Sequence, residues 1–243
     1  MTFNATTTVK EIAATMPQAT RVFEKLKIDY CCGGSTPLLE ACTNAGVDFE
    51  ELQNLLAHVA AAPATAPAID FQHATLPQLI DHIVEKHHVF TKEEMARLEP
   101  LFAKVVSVHG ENHPELRQAN ALFKRLCAEL TPHMFKEEQI LFPYIVALVK
   151  TVAHKMAAPF APFGTVNNPV RMMMMEHDAA GEILRELRAV TNDYKVPPEV
   201  CISYKTLYEA LLAFEQDLHL HIHLENNILF PRAVETEELA CQF

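Results

Sequence analysis

His133-Met-Phe-Lys-Glu137-Glu-Gln-Ile-Leu-Phe-Pro143 and His221-Ile-His-Leu-Glu225-Asn-Asn-Ile-Leu-Phe-Pro231 are one phrase written twice. Each copy sets a His and a Glu four residues apart, which on a helix puts an imidazole and a carboxylate on one face, one turn apart. The repetition extends backwards. His88 precedes His133 by 45 residues and His177 precedes His221 by 44, so the chain from about residue 75 divides into two tandem copies of a His helix followed by a His-Glu helix. That pattern predicts four helices.

Helical periodicity shows where these polar groups point. In the last helix the apolar stripe runs Leu207, Leu211, Phe214, Leu218, His221, Glu225, Ile228, and in the second it runs Leu122, Leu126, Leu130, His133, Glu137, Leu141, Tyr144. Val84, His88, Thr91, Met95, Leu98, Phe102 and Val105 share a face of the first, and Val170, Met173, His177, Ala180, Leu184 and Leu187 a face of the third. Every seam is interrupted at about the same depth. Burying unpaired imidazoles and carboxylates costs several kcal/mol each, so six of them in one core must be neutralised together.

A shared cation does this. Four neutral His and two anionic Glu form a nitrogen and oxygen set without thiolate, which argues against structural zinc and favours iron or manganese. Six ligands from four helices suit two metals, with two His each and both carboxylates bridging. A single His-x-x-x-Glu is ordinarily a solvated or hydrogen-bonded pair; two copies on apolar seams, each with a partner His at matched distance, favour ligands over that alternative.

The pattern His88, His133-x-x-x-Glu137, His177 and His221-x-x-x-Glu225, with Leu-Phe-Pro after both pairs, resembles the hemerythrin-like cation-binding domain. Oxygen-carrying members typically supply a second His four residues after the first in the third helix, where this chain has Gly181. One nitrogen fewer suggests a more open, more labile centre. At the amino-terminal end, Met16-Pro-Gln-Ala-Thr-Arg-Val-Phe23 through Ile28-Asp-Tyr-Cys31-Cys32-Gly33-Gly34 resembles the small domain of the RIC (repair of iron centres) proteins, the iron-sulfur cluster repair di-iron family. Both parts match in order over nearly the full chain.

The resemblance implies an all-α protein, a hemerythrin-like four-helix bundle with a small helical amino-terminal domain. It implies two non-haem iron ions, bridged by an oxo group and by Glu137 and Glu225, with damaged iron-sulfur proteins as partners and nitric oxide or oxygen as small ligands. The task it supplies is repair of clusters damaged by nitrosative or oxidative stress through supply of iron. Reduction of nitric oxide or peroxide at the di-iron site, and sensing or scavenging of nitric oxide or oxygen, are the alternatives.

Cys31 and Cys32 admit two accounts. Adjacent cysteines make a strained disulfide and free Cys is often a small buried hydrophobe, whereas Gly33 and Gly34 permit an exposed turn that presents the thiols for a redox or iron-handling role. Glu176, beside His177, is a third carboxylate, a group that orients a ligand, or a gate on the access path. His87 points about a quarter turn from the seam and is the fallback to His88; His219 and His223 are expected on a polar outer face. Met172 to Met175 are expected as core filling, with thioethers liable to sulfoxide formation near an oxidising centre. Cys42, Cys127, Cys201 and Cys241 show no metal spacing. Pro143 and Pro231 are expected to kink or end their helices.

Scarce Gly, with no sustained period-two alternation, supports the all-helical expectation. The chain of 243 residues divides into residues 1–60, a helical domain carrying Cys-Cys-Gly-Gly; 61–70, an Ala/Pro-rich linker; and 71–243, the bundle. A net charge of -11 argues against a nucleic-acid partner. No apolar run reaches membrane-spanning length and the first residues lack a signal peptide's regions, so a cytoplasmic location with reduced thiols is expected. The sequence leaves a homodimer open.

Overall fold

The computed structural model describes residues 3–61 and 70–242. Among them the only β pairing is an isolated bridge between Thr8 and Pro37. The expected linker, 61–70, falls almost entirely on residues 62–69, outside the described residues.

Four short helices form the amino-terminal unit: α1 (Val9–Thr15), α2 (Ala19–Leu26), α3 (Leu38–Ala45) and α4 (Phe49–Ala61). Glu11 accepts from the Thr8 backbone N–H at 2.8 Å and so starts α1, and Gly46 ends α3 at φ 68°, where a side chain would be strained. Val9, Ile12, Phe23, Leu38, Leu52 and Leu56 are the centre of its own apolar core.

Four long rods then form the bundle. The first is α5 (Leu76–His82), a π turn (Ile83–His88) and α6 (Val89–His109); the second is α7 (Glu115–Lys136), a π turn (Glu137–Leu141) and α8 (Phe142–His154). The third is the uninterrupted α9 (Asn167–Val190), and the fourth is α10 (Ile202–Leu224), a π turn (Glu225–Leu229) and α11 (Phe230–Ala240). Thr75 and Gln78 make a reciprocal cap at the first rod.

The two prolines act differently from the expectation of a kink or stop. Each follows a wide turn in which the preceding Phe N–H reaches back five residues, Phe142 to the Glu137 carbonyl and Phe230 to the Glu225 carbonyl. A proline cannot donate the next α-type bond. The π turn absorbs that loss and the rod runs on, with Pro143 and Pro231 in the first turn of the following segment.

The bundle core is split in two. One cluster, including Leu98, Phe102, Phe123, Leu126, Leu184 and Phe214, lies on one side of the His and Glu layer. The other, including Ile83, Leu141, Ile145, Val170, Met173 and Ile228, lies on the other side. Polar groups at this depth of all four rods interrupt what would otherwise be one continuous apolar interior.

The amino-terminal unit docks along α9 and α10. Lys27 Nζ reaches Asp193 at 2.6 Å, Glu24 pairs with His219 at 2.8 Å, and the Tyr30 carbonyl accepts from Asn227 at 3.1 Å. His223 is therefore buried against the Tyr30 carbonyl at 3.3 Å, and burial pushes its imidazole down to about 4. The expected polar outer face is an interface: the second domain covers the side of α10 that a bundle alone would leave to solvent.

Candidate metal centre

Each of the four rods delivers one imidazole to the layer, and the second and fourth add the two carboxylates. His88, His133, Glu137, His177, His221 and Glu225 are all buried. They form two quartets, His88, His221, Glu137 and Glu225, and His133, His177, Glu137 and Glu225, with the donor atoms of each quartet within 4.8 Å of one another. Both carboxylates belong to both. Glu137 Oε2 stands 3.5 Å from His88 Nε2 and 3.3 Å from His133 Nε2. Glu225 divides its oxygens, Oε1 at 3.1 Å from His221 Nε2 and Oε2 at 3.2 Å from His177 Nε2.

The other face of three imidazoles is anchored. His88 Nδ1 donates to Glu138 at 2.7 Å, His133 Nδ1 to Glu176 at 2.8 Å and His177 Nδ1 to Asn226 Oδ1 at 2.8 Å. Ionised carboxylates only accept, so the proton sits on Nδ1 and the Nε2 lone pair points inward. Lys92, at 2.5 Å, steadies Glu138 and Lys136 steadies Glu176. The His133 hydrogen bond, aided by Lys136 and opposed by partial burial, holds Glu176 down to about 2.

Those anchored rings aim acceptors at acceptors. His88 and His221 face each other Nε2 to Nε2 at 3.1 Å, and His133 and His177 at 3.0 Å. Both Glu137 oxygens and Glu225 Oε2 are buried without a hydrogen-bond donor, as is His221 Nδ1 on its outer side. Six converging lone-pair donors, neutral rings and anions with no proton between them, fit cations and little else. Without a cation, protons take its place. Burial opposes charging of His88 and His177, yet Glu137 and Glu225 lift them to about 10 and about 9. His221 is shifted the other way by burial, and Glu225 is held well below the carboxylate range by His221, His177 and His88 against its own burial.

Every residue expected as a ligand is therefore in the layer, and His88 rather than His87 enters it. His87 turns away, hydrogen-bonds Asp217 at 3.0 Å and stacks on His221. Of the three accounts of Glu176, the geometry places it on His133 Nδ1, outside both quartets. Sequence reasoning missed Glu138 and Asn226. The signal was in the repeated phrase: each stands immediately after a Glu of the layer, and the wide turn there carries it to a neighbouring imidazole.

Cys31 is not presented to solvent, and Cys32 is partly buried beside it. Cys31 is buried in the bundle's larger core cluster with Cys32 packed against it, both inside the docked interface. Gly34 serves close packing, since a Cβ there would meet the Tyr30 carbonyl at 2.6 Å. Hydrogen bonding to Cys32 and then burial hold the Cys31 thiol well above its ordinary range, so it is neutral at pH 7. A Cβ on Gly181 would lie 3.8 Å from Cys32 Sγ and 3.5 Å from the Arg185 guanidinium. The sulfur approaches α9 where the oxygen carriers have their additional imidazole. Cys31, Cys32, Gly181, Arg185 and His219 share a cavity of about 140 Å³ between the domains.

A groove of about 470 Å³ opens the second quartet to the surface, lined by His133, His177, Glu176, Lys136, Met172 and Met175 among others. No helix among the described residues is long and apolar enough to cross a membrane.

Residues 79–233 match the hemerythrin HHE cation binding domain, and residues 5–60 match ScdA_N, a domain of unknown function. A probable iron-sulfur cluster repair protein of Haemophilus influenzae is 35% identical over 93% of this chain and 96% of its own length. Iron-sulfur cluster repair proteins YtfE of Cronobacter sakazakii and Escherichia coli are each 36% identical, over 94% and 93% of this chain and 96% of theirs. The matched domain implies a non-haem iron site, which the buried His and Glu set suits. The chain belongs to the hemerythrin HHE cation-binding family, and within it to the iron-sulfur cluster repair proteins that carry an ScdA-type amino-terminal domain.

Proposed function

We propose that this chain repairs iron-sulfur clusters damaged by nitric oxide or peroxide, working in the cytoplasm with two iron ions held by His88, His133, Glu137, His177, His221 and Glu225. The observation that carries it is the pair of quartets sharing both carboxylates. Iron would supply a redox-active, exchangeable Lewis acid with open positions. The chain's own groups do the rest: Glu138, Glu176 and Asn226 orient three imidazoles, the two apolar clusters exclude water above and below, and the groove beside His133 and His177 gives one way in and out. Glu176, paired with Lys136 at that groove, would hold the His133 ring through its Nδ1. Cys31 and Cys32, between the domains, would act as a thiol or electron relay to the bundle or to the client.

Anaerobic incubation of iron-loaded protein with a nitric-oxide-inactivated dehydratase tests this. Recovery of client activity in step with loss of the protein's own iron is expected. If clients stay inactive while nitrous oxide accumulates over many turnovers, the centre is a nitric oxide reductase instead.

A further inference from the structure

Met172 to Met175 are four consecutive thioethers with unequal surroundings. Met173 is 2% exposed and fills the second core cluster, as expected of core packing. Met172, Met174 and Met175 are 50%, 42% and 61% exposed, so packing does not account for them. Met172 and Met175, three residues apart on one face of α9, line the groove that ends at His133 and His177; Met174 does not.

We propose that Met172 and Met175 are sacrificial sulfoxidation sites, which intercept peroxide-class oxidants on the path to the metal centre. The inference rests on the metal reading. A cation at the inner end of the groove that binds peroxide draws it past both sulfurs, raising its local concentration there and not at Met174. The step balances without a further reductant. The thioether sulfur gives two electrons to peroxide, an S–O bond forms as the O–O bond breaks, and the second oxygen leaves as water with both peroxide protons. A sulfoxide is reducible, so the guard can be restored, whereas an oxidised imidazole cannot.

The test uses the full chain loaded with iron(II) and, in parallel, with redox-inert zinc(II), metal content being measured by elemental analysis. Each form takes substoichiometric hydrogen peroxide anaerobically, and fragment ions of the tryptic peptide Met172–Arg185 locate the added oxygen. In both the iron and the zinc forms Met172 and Met175 are expected to be oxidised at least about fivefold faster than Met174, with the preference lost in the metal-free chain given the same dose. Met172→Leu/Met175→Leu, which leaves the core untouched, is expected to move oxidation onto His133 or His177 under the same dose. Equal rates at Met172, Met174 and Met175 with iron bound would overturn the inference and leave the metal reading standing. Absence of bound iron and zinc would end both.

Discussion

Metal uptake by this bundle has to expel protons, and the number is set by the geometry of the layer. In the metal-free chain burial alone would keep His88 and His177 neutral, but Glu137 and Glu225 lift them to about 10 and about 9, so both are imidazolium at pH 7. An imidazole binds a cation only after losing that proton. Loading at pH 7 should therefore release about two protons per chain from these two rings, and Glu225, held well below the carboxylate range, adds none. Between pH 7 and 9 the apparent affinity should rise on the order of tenfold per pH unit for each proton displaced. Apoprotein stability runs in the opposite sense. An imidazole whose folded pKa is raised stabilises the fold fully below its unfolded value of about 6.5, and that contribution fades as pH climbs through about 9 and then about 10. For His177 the shift from about 6.5 to about 9 is on the order of 3 kcal/mol. Anaerobic titration of apoprotein with iron(II) in weakly buffered solution counts the protons, and thermal melts of both forms follow the stability. The apo melting temperature should fall from pH 7 to pH 10 while that of the loaded form changes little. Proton release near zero at pH 7, or an apo melting temperature that rises over that range, would refute the coupling.

Replacing Glu137 or Glu225 with Leu should abolish metal retention yet leave a folded apo bundle, because an apolar side chain suits a fully buried seam position; normal iron content in either variant would remove the shared-carboxylate assignment. Asn226→Leu frees His177 Nδ1 and should weaken metal binding about 10-fold to 100-fold with little change in helicity, read by competition with a chelator. Gly181→His puts a ring where Cys32 Sγ and Arg185 now stand and should loosen the amino-terminal domain, detected as faster proteolysis before residue 70; unchanged protection would mean the approach of Cys32 to α9 is not tight. Cys31→Ala with Cys32→Ala should spare bound iron while slowing client recovery, and full repair by that variant would reduce both thiols to packing groups.

The six side chains of the layer were legible because each interrupts an apolar stripe, and because the phrase containing four of them occurs twice. A buried polar residue in a periodic seam is conspicuous in one dimension. His88 could be chosen over His87 for the same reason, since a neighbour a quarter turn away leaves the stripe. What surrounds the layer was less legible. Glu138 and Asn226 are ordinary exposed-face residues in an α-helical projection, and only the extra residue of a π turn swings them onto His88 and His177. His219 and His223 project correctly onto the outside of the bundle, but a projection of one helix contains nothing about the second domain that covers them. The same docking turned Cys31 inward, in keeping with the buried-thiol account and not with the exposed turn that the Gly pair permits.

The π turns have a consequence for how the molecule can vary. Each holds one residue more than an α-helical turn, so the rod beyond it is rotated by about 100° from the course an unbroken α-helix would follow. Three of the four rods thus undergo a phase slip at the level of the His and Glu layer, while α9 passes through unslipped. Losing a single residue from Glu137–Leu141 would turn α8 by about 100° and swing Phe142, Ile145 and Leu148 out of the second apolar cluster while the first stays packed.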